Sequence, residues 1–228
     1  AQIGLMSASK SYNITHVHRG LAFENSLLDA KMMLKENPGA QYLVGGVDEI
    51  STYNYNIDYL DGWYKKAPVS NAQLYTVDSP GSIAGEGAAM FLVNDTAANA
   101  TAAIQDVHTI HTTDVQLVKN TVQLLLKKNN LVPADIDLLI SGENGDNRLL
   151  KYYTAVESIF TGNTGVARYK HVTGEFPTAS AIAVWLACHA GGFPPHLFKT
   201  KNTANKAKNI FIYNNYKGLQ HSFILLNK

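Results

Sequence analysis

YNITHVH (12–18), RGLAFENSLLDAKMMLKENPGA (19–40) and QYLVGGVDEI (41–50) are the consecutive pieces whose reading decides the fold. The first alternates Ile14 with the β-branched or polar Thr15, His16 and Val17, which suits a strand. From Gly20 onward Phe23, Leu27, Ala30 and Leu34 recur at helical spacing, and Asn37, Pro38 and Gly39 stop the helix. Gln41 to Val47 is a short apolar run closed by Gly45 and Gly46, which reads as a buried parallel strand. Together the pieces predict a βαβ unit. Its helix starts at the carboxyl end of the first strand, where open α/β sheets place their chemistry.

Working outward, residues 1–11 read as the end of a helix, without the long apolar core of a signal peptide. Residues 51–85 are rich in Tyr, Asn, Asp and Gly and predict a long surface loop with short elements. Its Tyr53, Tyr55, Tyr59 and Tyr64 read as packing or interface aromatics. GEGAAMFLVN (85–94) predicts a strand, and a second series follows it. Strands are expected at 103–110, 136–141, 165–170, 209–214 and 221–227, the last two as a hairpin. Asp114–Asn130 predicts an amphipathic helix striped by Val115, Val118, Val122 and Leu125, with Asp114 as its cap. Helices are also expected over Leu149–Phe160 and over Thr178–Ala190, the latter apolar almost all round and therefore buried.

The 228 residues suffice for one large α/β domain or two small ones. A net charge of +1 without a basic block argues against a nucleic-acid partner. No apolar run approaches the roughly 20 residues that span a bilayer, so no membrane partner is expected. A single cysteine excludes an internal disulfide and fits a reducing compartment, which makes cytoplasmic the expected location.

The strand, the helix and VGGVDE resemble the segment of β-ketoacyl synthases, of thiolase-like fold, that carries the nucleophilic cysteine and a following GGxxE. GEGA at 85–88 resembles that family's GEGA strand, and LVPADID (131–137) its approach to the first active-site histidine. The resemblance implies an α/β fold of two pseudo-repeated halves, here residues 1–98 and 99–228. Each half should hold five strands, yet only 12–18, 41–47 and 86–93 are found in the first. The resemblance therefore implies that the first part of the amino-terminal half lies outside this chain, either preceding it or as a separate segment.

Matched without gaps, Gly20 stands where the family has its cysteine, at a helix N-terminus that would stabilise a thiolate. Gly20 has no side chain, and the only cysteine is Cys188. The HGTGT loop is matched by Ser141–Gly142–Glu143–Asn144–Gly145, with Ser141 at the first histidine. The K…GH…GAxGA stretch is matched by Lys170, Gly174, Glu175 and PTASA (177–181), with Glu175 at the second. A carboxylate there would repel a developing enolate. The GFGG loop is matched by Asn214 to Gly218, reading NNYKG.

This pattern implies a non-elongating member similar to the chain length factors of polyketide and polyene systems. Such a subunit pairs with a catalytic synthase, or with itself, and meets an acyl carrier protein. The acyl-phosphopantetheine of that carrier is the expected ligand, with no cofactor and no metal. Chain length factors often carry glutamine at the cysteine position, and Gly20 departs from that. The segment Tyr12–His18 would be the edge strand that pairs across the dimer.

Other readings of the same residues stay open. His16, His18, Arg19, Gly20, Ser141, Lys170, His171 and Glu175 would all face one pocket in this fold. Ser141 with a histidine and Glu175 has the residue types of an acyl-transfer triad, hence of a hydrolase or acyltransferase, although no GxSxG elbow is present. A truncated product without activity is a third reading. His18 and Arg19 could instead tie the helix entrance through Glu24, Asp48 or Glu49. Glu175 could be the ion partner of Lys170 or Arg19. Cys188 reads as inert core, and His108 and His111 as strand-end surface residues.

Overall fold

The computed structural model describes residues 2–160, 162–201 and 203–228. A short helix α1 (Gln2–Met6) is followed by an extended stretch and then by α2 (Ala22–Glu36). Helix α2 buries Phe23, Leu27 and Ala30, three of the four predicted stripe positions. It ends where Asn37 donates from both its backbone and its side chain to the Met33 carbonyl. Strand β1 (Tyr42–Asp48) pairs with β2 (Gly87–Val93) in a two-stranded sheet. Between them the tyrosine-rich stretch forms α3 (Thr52–Leu60), whose Ser51 cap accepts from the Asn54 N–H.

Two expectations are corrected in this half. Tyr12–His18 is not a strand, and β1 is not a buried parallel strand, because its pairing with β2 is antiparallel. A strand exists only where a neighbour takes its backbone groups, and among the described residues none runs beside 12–18. The segment is held by side chains instead: the Tyr12 hydroxyl donates to Asp29 at 2.8 Å, and His16 Nε2 lies 3.4 Å from the same carboxylate. Val17 is 93% exposed. In β1 Val44 is buried whereas Leu43 and Val47 are exposed, the alternation of a ribbon covered on one face. The apolar run hid this because both faces of YLVGGV carry aliphatic residues.

The second half is a five-stranded sheet ordered β3–β7–β6–β4–β5, built from β3 (Ala103–His111), β4 (Leu138–Ser141), β5 (Gly165–Arg168), β6 (Asn209–Tyr216) and β7 (Gln220–Asn227). Strand β4 is parallel to both β5 and β6, and β7 runs antiparallel to β6 and β3. Its helices are α4 (Val115–Lys128), α5 (Leu150–Glu157), α6 (Lys170–Thr173) and α7 (Ala179–Cys188). Asp114 caps α4 by accepting from the Gln116 N–H at 2.8 Å. The expected strand 165–170 ends at Arg168, and Lys170 begins α6.

Leu138 and Ile140 of β4 face one core with α2 and α7, and Leu139 faces a second with α4 and α5. This two-sided burial is why these central strands read as unbroken apolar runs. Helix α7 is apolar on nearly all sides because it lies between the two sheets, sharing a core with Val44 and Ala89 on one and Ile212 on the other. Trp185 is nonetheless 46% exposed, so the helix is not buried throughout. Close approach is permitted by glycine: a Cβ on Gly46 would lie 2.8 Å from Thr178 Cβ. Gly85 and Gly174 meet back to back, and beside them Gly85 N donates to Glu175 O while Glu175 N donates to Ile83 O. The GEGA strand and the Lys170–Glu175 segment are thereby joined by backbone.

Candidate functional site

Gly20 lies at the N-terminal end of α2, and its N–H donates to Gln220 Oε1 at 2.8 Å. The volume above its Cα is occupied. A Cβ built on Gly20 would lie 2.2 Å from Tyr216 Cβ and 2.4 Å from Tyr216 Cγ, so the two residues share one side-chain volume and Tyr216 holds it. Tyr216 closes β6, and its neighbour Lys217 takes a left-handed backbone at φ 54°. Lys217 is ion-paired to Asp58 of α3 at 2.5 Å, and its Nζ lies 5.0 Å from the Trp63 ring.

Behind Tyr216 lies a buried polar cluster. Lys170 is fully buried and donates to both carboxylate oxygens of Glu175, at 2.6 and 2.7 Å. Asn144 Nδ2 donates to the same carboxylate at 2.7 Å, and the Asn144 carbonyl accepts from Ser82 Oγ. Burial draws the Lys170 ammonium below the usual lysine range, and the adjoining Glu175 opposes that pull. Glu24, in the first turn of α2, is buried and faces Ser180 and Ser222, although neither of its oxygens has a well-formed hydrogen bond among the described residues. Burial raises its carboxyl above the usual range, with Ser222, Ser180 and Lys170 acting in the other direction.

The remaining sequence candidates are dispersed. Ser141 is buried at the end of β4, where its Oγ accepts from the Glu143 N–H; among the described residues no histidine reaches it. Its neighbour Glu143 is held by Arg168 and Lys199. His171 turns away, with Nε2 3.0 Å from His196 Nδ1 and Nδ1 3.3 Å from the Tyr75 hydroxyl. His16 contacts Asp29. Neither Glu24 nor Asp48 is hydrogen-bonded to His18 or Arg19; Asp48 instead accepts from Thr178 N and Oγ1, at 2.7 and 2.6 Å. Cys188 sits half-buried at the end of α7, its thiol pushed up by burial.

What the fold does bring together is a mouth and a stop. An open cleft of about 530 Å³ is lined by His18, Arg19, Asn54, Phe176 and Tyr216, among others. Adjoining it, and sharing Tyr216 and Lys217 in its lining, a void of about 20 Å³ is bounded by Trp63, Asn144, Leu149 and Glu175. His18 lines the cleft with its ring edge-on to His111, and its buried Nδ1 has no hydrogen-bond partner among the described residues. In the sequence, Tyr216 and Asn144 enter only inside the GFGG and HGTGT matches, and Glu24 only as a tie for His18 or Arg19. For Tyr216 a signal existed: the GFGG match keeps an aromatic residue among bulkier neighbours, while the cysteine match, Gly20, has no side chain. Among the described residues, no helix is long and apolar enough to cross a membrane, and no three His, Cys, Asp or Glu side chains could hold a metal ion.

No protein-family model and no curated sequence matches the chain. Solved structures do. A β-ketoacyl synthase from Burkholderia phymatum STM815 superposes with TM-score 0.78 at 14% identity, over 99% of this chain and 64% of that one. The fold is that of the ketosynthases. A type II polyketide synthase acyl carrier protein in complex with its ketosynthase matches with TM-score 0.81 at 12% identity, over 99% of this chain and 65% of that one. The ishigamide ketosynthase/chain length factor matches at 0.72 and 16%, over 99% and 60%. The chain thus spans somewhat under two thirds of the length of these ketosynthase-fold proteins.

Proposed function

We propose that this chain is a non-elongating ketosynthase-like subunit that shapes the acyl-binding space of a catalytic ketosynthase served by an acyl carrier protein. The observation that carries this reading is the filled nucleophile position. Tyr216 occupies the side-chain volume over Gly20, and the single thiol, Cys188, lies at the end of α7 with burial opposing its ionisation. A condensing enzyme needs an ionisable nucleophile at the end of its cleft, and this cleft ends on a phenol ring. Glu175, tied to Lys170 and Asn144, is an acceptor for cations and amides, unsuited to stabilising a developing oxyanion. Neighbours that include a ketosynthase/chain length factor and a ketosynthase with its carrier protein support these partners.

Intact-mass measurement after incubation with acyl-carrier thioester, alone and after co-expression with the cognate synthase, tests the proposal. The expected outcome is no acyl adduct on this chain and co-purification with an acylated synthase. A stable adduct on this chain would overturn it, and an adduct at Ser141 would favour the acyltransferase reading.

A further inference from the structure

We infer that Tyr216 is the specificity-determining stopper of the cleft, restricting the ligand to a polar pantetheine-like arm that carries at most a short acyl group. The inference rests on the reading above for the identity of the ligand, and on geometry alone for the stop. Three observations converge on it. The ring stands in the volume over Gly20, against which even a methyl group would collide. Tyr216 lines both the open cleft and the small adjoining void, together with Lys217, Asp58, Tyr64, Phe176 and Pro177, so its ring stands where the two spaces meet. Lastly, Lys217 fastens the turn that carries the ring, by its ion pair to Asp58 and its position over the Trp63 ring.

The mouth suits an amide-rich arm. Arg19 and Asn54 line it with hydrogen-bond donors, and Phe176 and Pro177 supply an apolar wall. Beyond the ring, Glu175 and Asn144 already satisfy one another, and the void of about 20 Å³ has room for roughly one water and no acyl chain. Removing the ring would join void and cleft and lengthen the site towards Leu149.

The experiment has a ligand arm and a ligand-free arm. In the first, acetyl- and octanoyl-pantetheine are titrated against the natural chain and Tyr216→Gly, which adds no atom and so creates no clash. The natural chain should bind the two within about twofold of each other, and Tyr216→Gly should favour octanoyl by tenfold or more, since eight carbons bury several methylenes. Preference for octanoyl by tenfold in the natural chain, or none in a folded Tyr216→Gly, would overturn the inference. In the second arm, on a Cys188→Ala background, Gly20→Cys is compared with Gly20→Cys/Tyr216→Gly for melting temperature and for labelling by octyl methanethiosulfonate. Only the double variant should be both stable and labelled, by a hundredfold or more in rate. Equal stability and equal labelling with Tyr216 in place would overturn the stopper. If neither thioester binds either protein, the proposed function fails while the labelling ratio still decides the role of Tyr216.

Discussion

At the scale of single residues, the cluster behind Tyr216 is governed by the cost of burying charge. Lys170 has no exposed surface, and the Glu175 carboxylate is its only ion partner among the described residues. Glu175→Gln therefore strands an ammonium that burial already disfavours, and losing one member of such a pair costs about 3–5 kcal/mol. Urea unfolding should show that loss, and adding Lys170→Met to the variant should recover much of it; a change below about 1 kcal/mol would contradict a buried, uncompensated charge. His221 makes the opposite choice and stays neutral. Its Nε2 donates to the Thr112 carbonyl, its Nδ1 accepts from the Tyr213 hydroxyl, and burial lowers its pKa from 6.5 to about 4. Between these values the unfolded chain binds the proton and the folded chain does not, so stability falls as pH drops from 6.5 to about 4. The loss amounts to about 3 kcal/mol at the low end. Unfolding titrations across this range should show the slope in the natural chain and a shallower one in His221→Gln.

At the scale of elements, α7 is the piece on which both halves depend. Its N-terminus carries no side-chain cap from Thr178, whose own N–H and hydroxyl both donate to Asp48 at the end of β1. A carboxylate in that position satisfies the orphan N–H and complements the helix dipole. Asp48→Ala should thus cost about 1–2 kcal/mol, within the range for lost caps. Thermal unfolding measures this, and Asp48→Asn should retain part of the difference by keeping an acceptor without the charge. The aspartate of VGGVDE is thereby explained as a cap from one sheet to the helix of the other. The preceding Gly46 is explained by the contact distance to Thr178 and Ala181. Strand β1 also shows how an element depends on its neighbours: with β2 on one side it remains a ribbon whose Leu43 and Val47 are exposed.

At the scale of the whole molecule, two unequal sheets are welded through α2, α7 and the Gly85–Gly174 contact. The large sheet has helices packed on both faces and strands buried on both sides. The small one exposes Leu43, Val47, Met90 and Leu92, and the neighbouring segment exposes Ile14 and Val17. Contiguous apolar exposure is the usual mark of an associating surface, and the subunit role proposed above would place a partner here. The cleft opens between the end of the small sheet, α3 and the β6–β7 turn, with Tyr216 of that turn in its lining.

The α/β class, the amphipathic α2 and α4, the cap at Asp114 and the terminal hairpin were legible in the order of residues, because periodicity and capping are local. The pairing of Lys170 with Glu175 was legible as one of two options. Which strands have neighbours was not legible. Tyr12–His18 has the composition of a strand and is none here, since a ladder is made by a partner and no residue type supplies one. Nor could sequence tell that Ser141 and His171 point into different surroundings while Tyr216, almost 200 residues from Gly20, enters its empty side-chain volume. A vacancy and the group that fills it meet only when the sheet closes. Tertiary packing, the one source of contacts between distant residues, therefore decided that the site is shut.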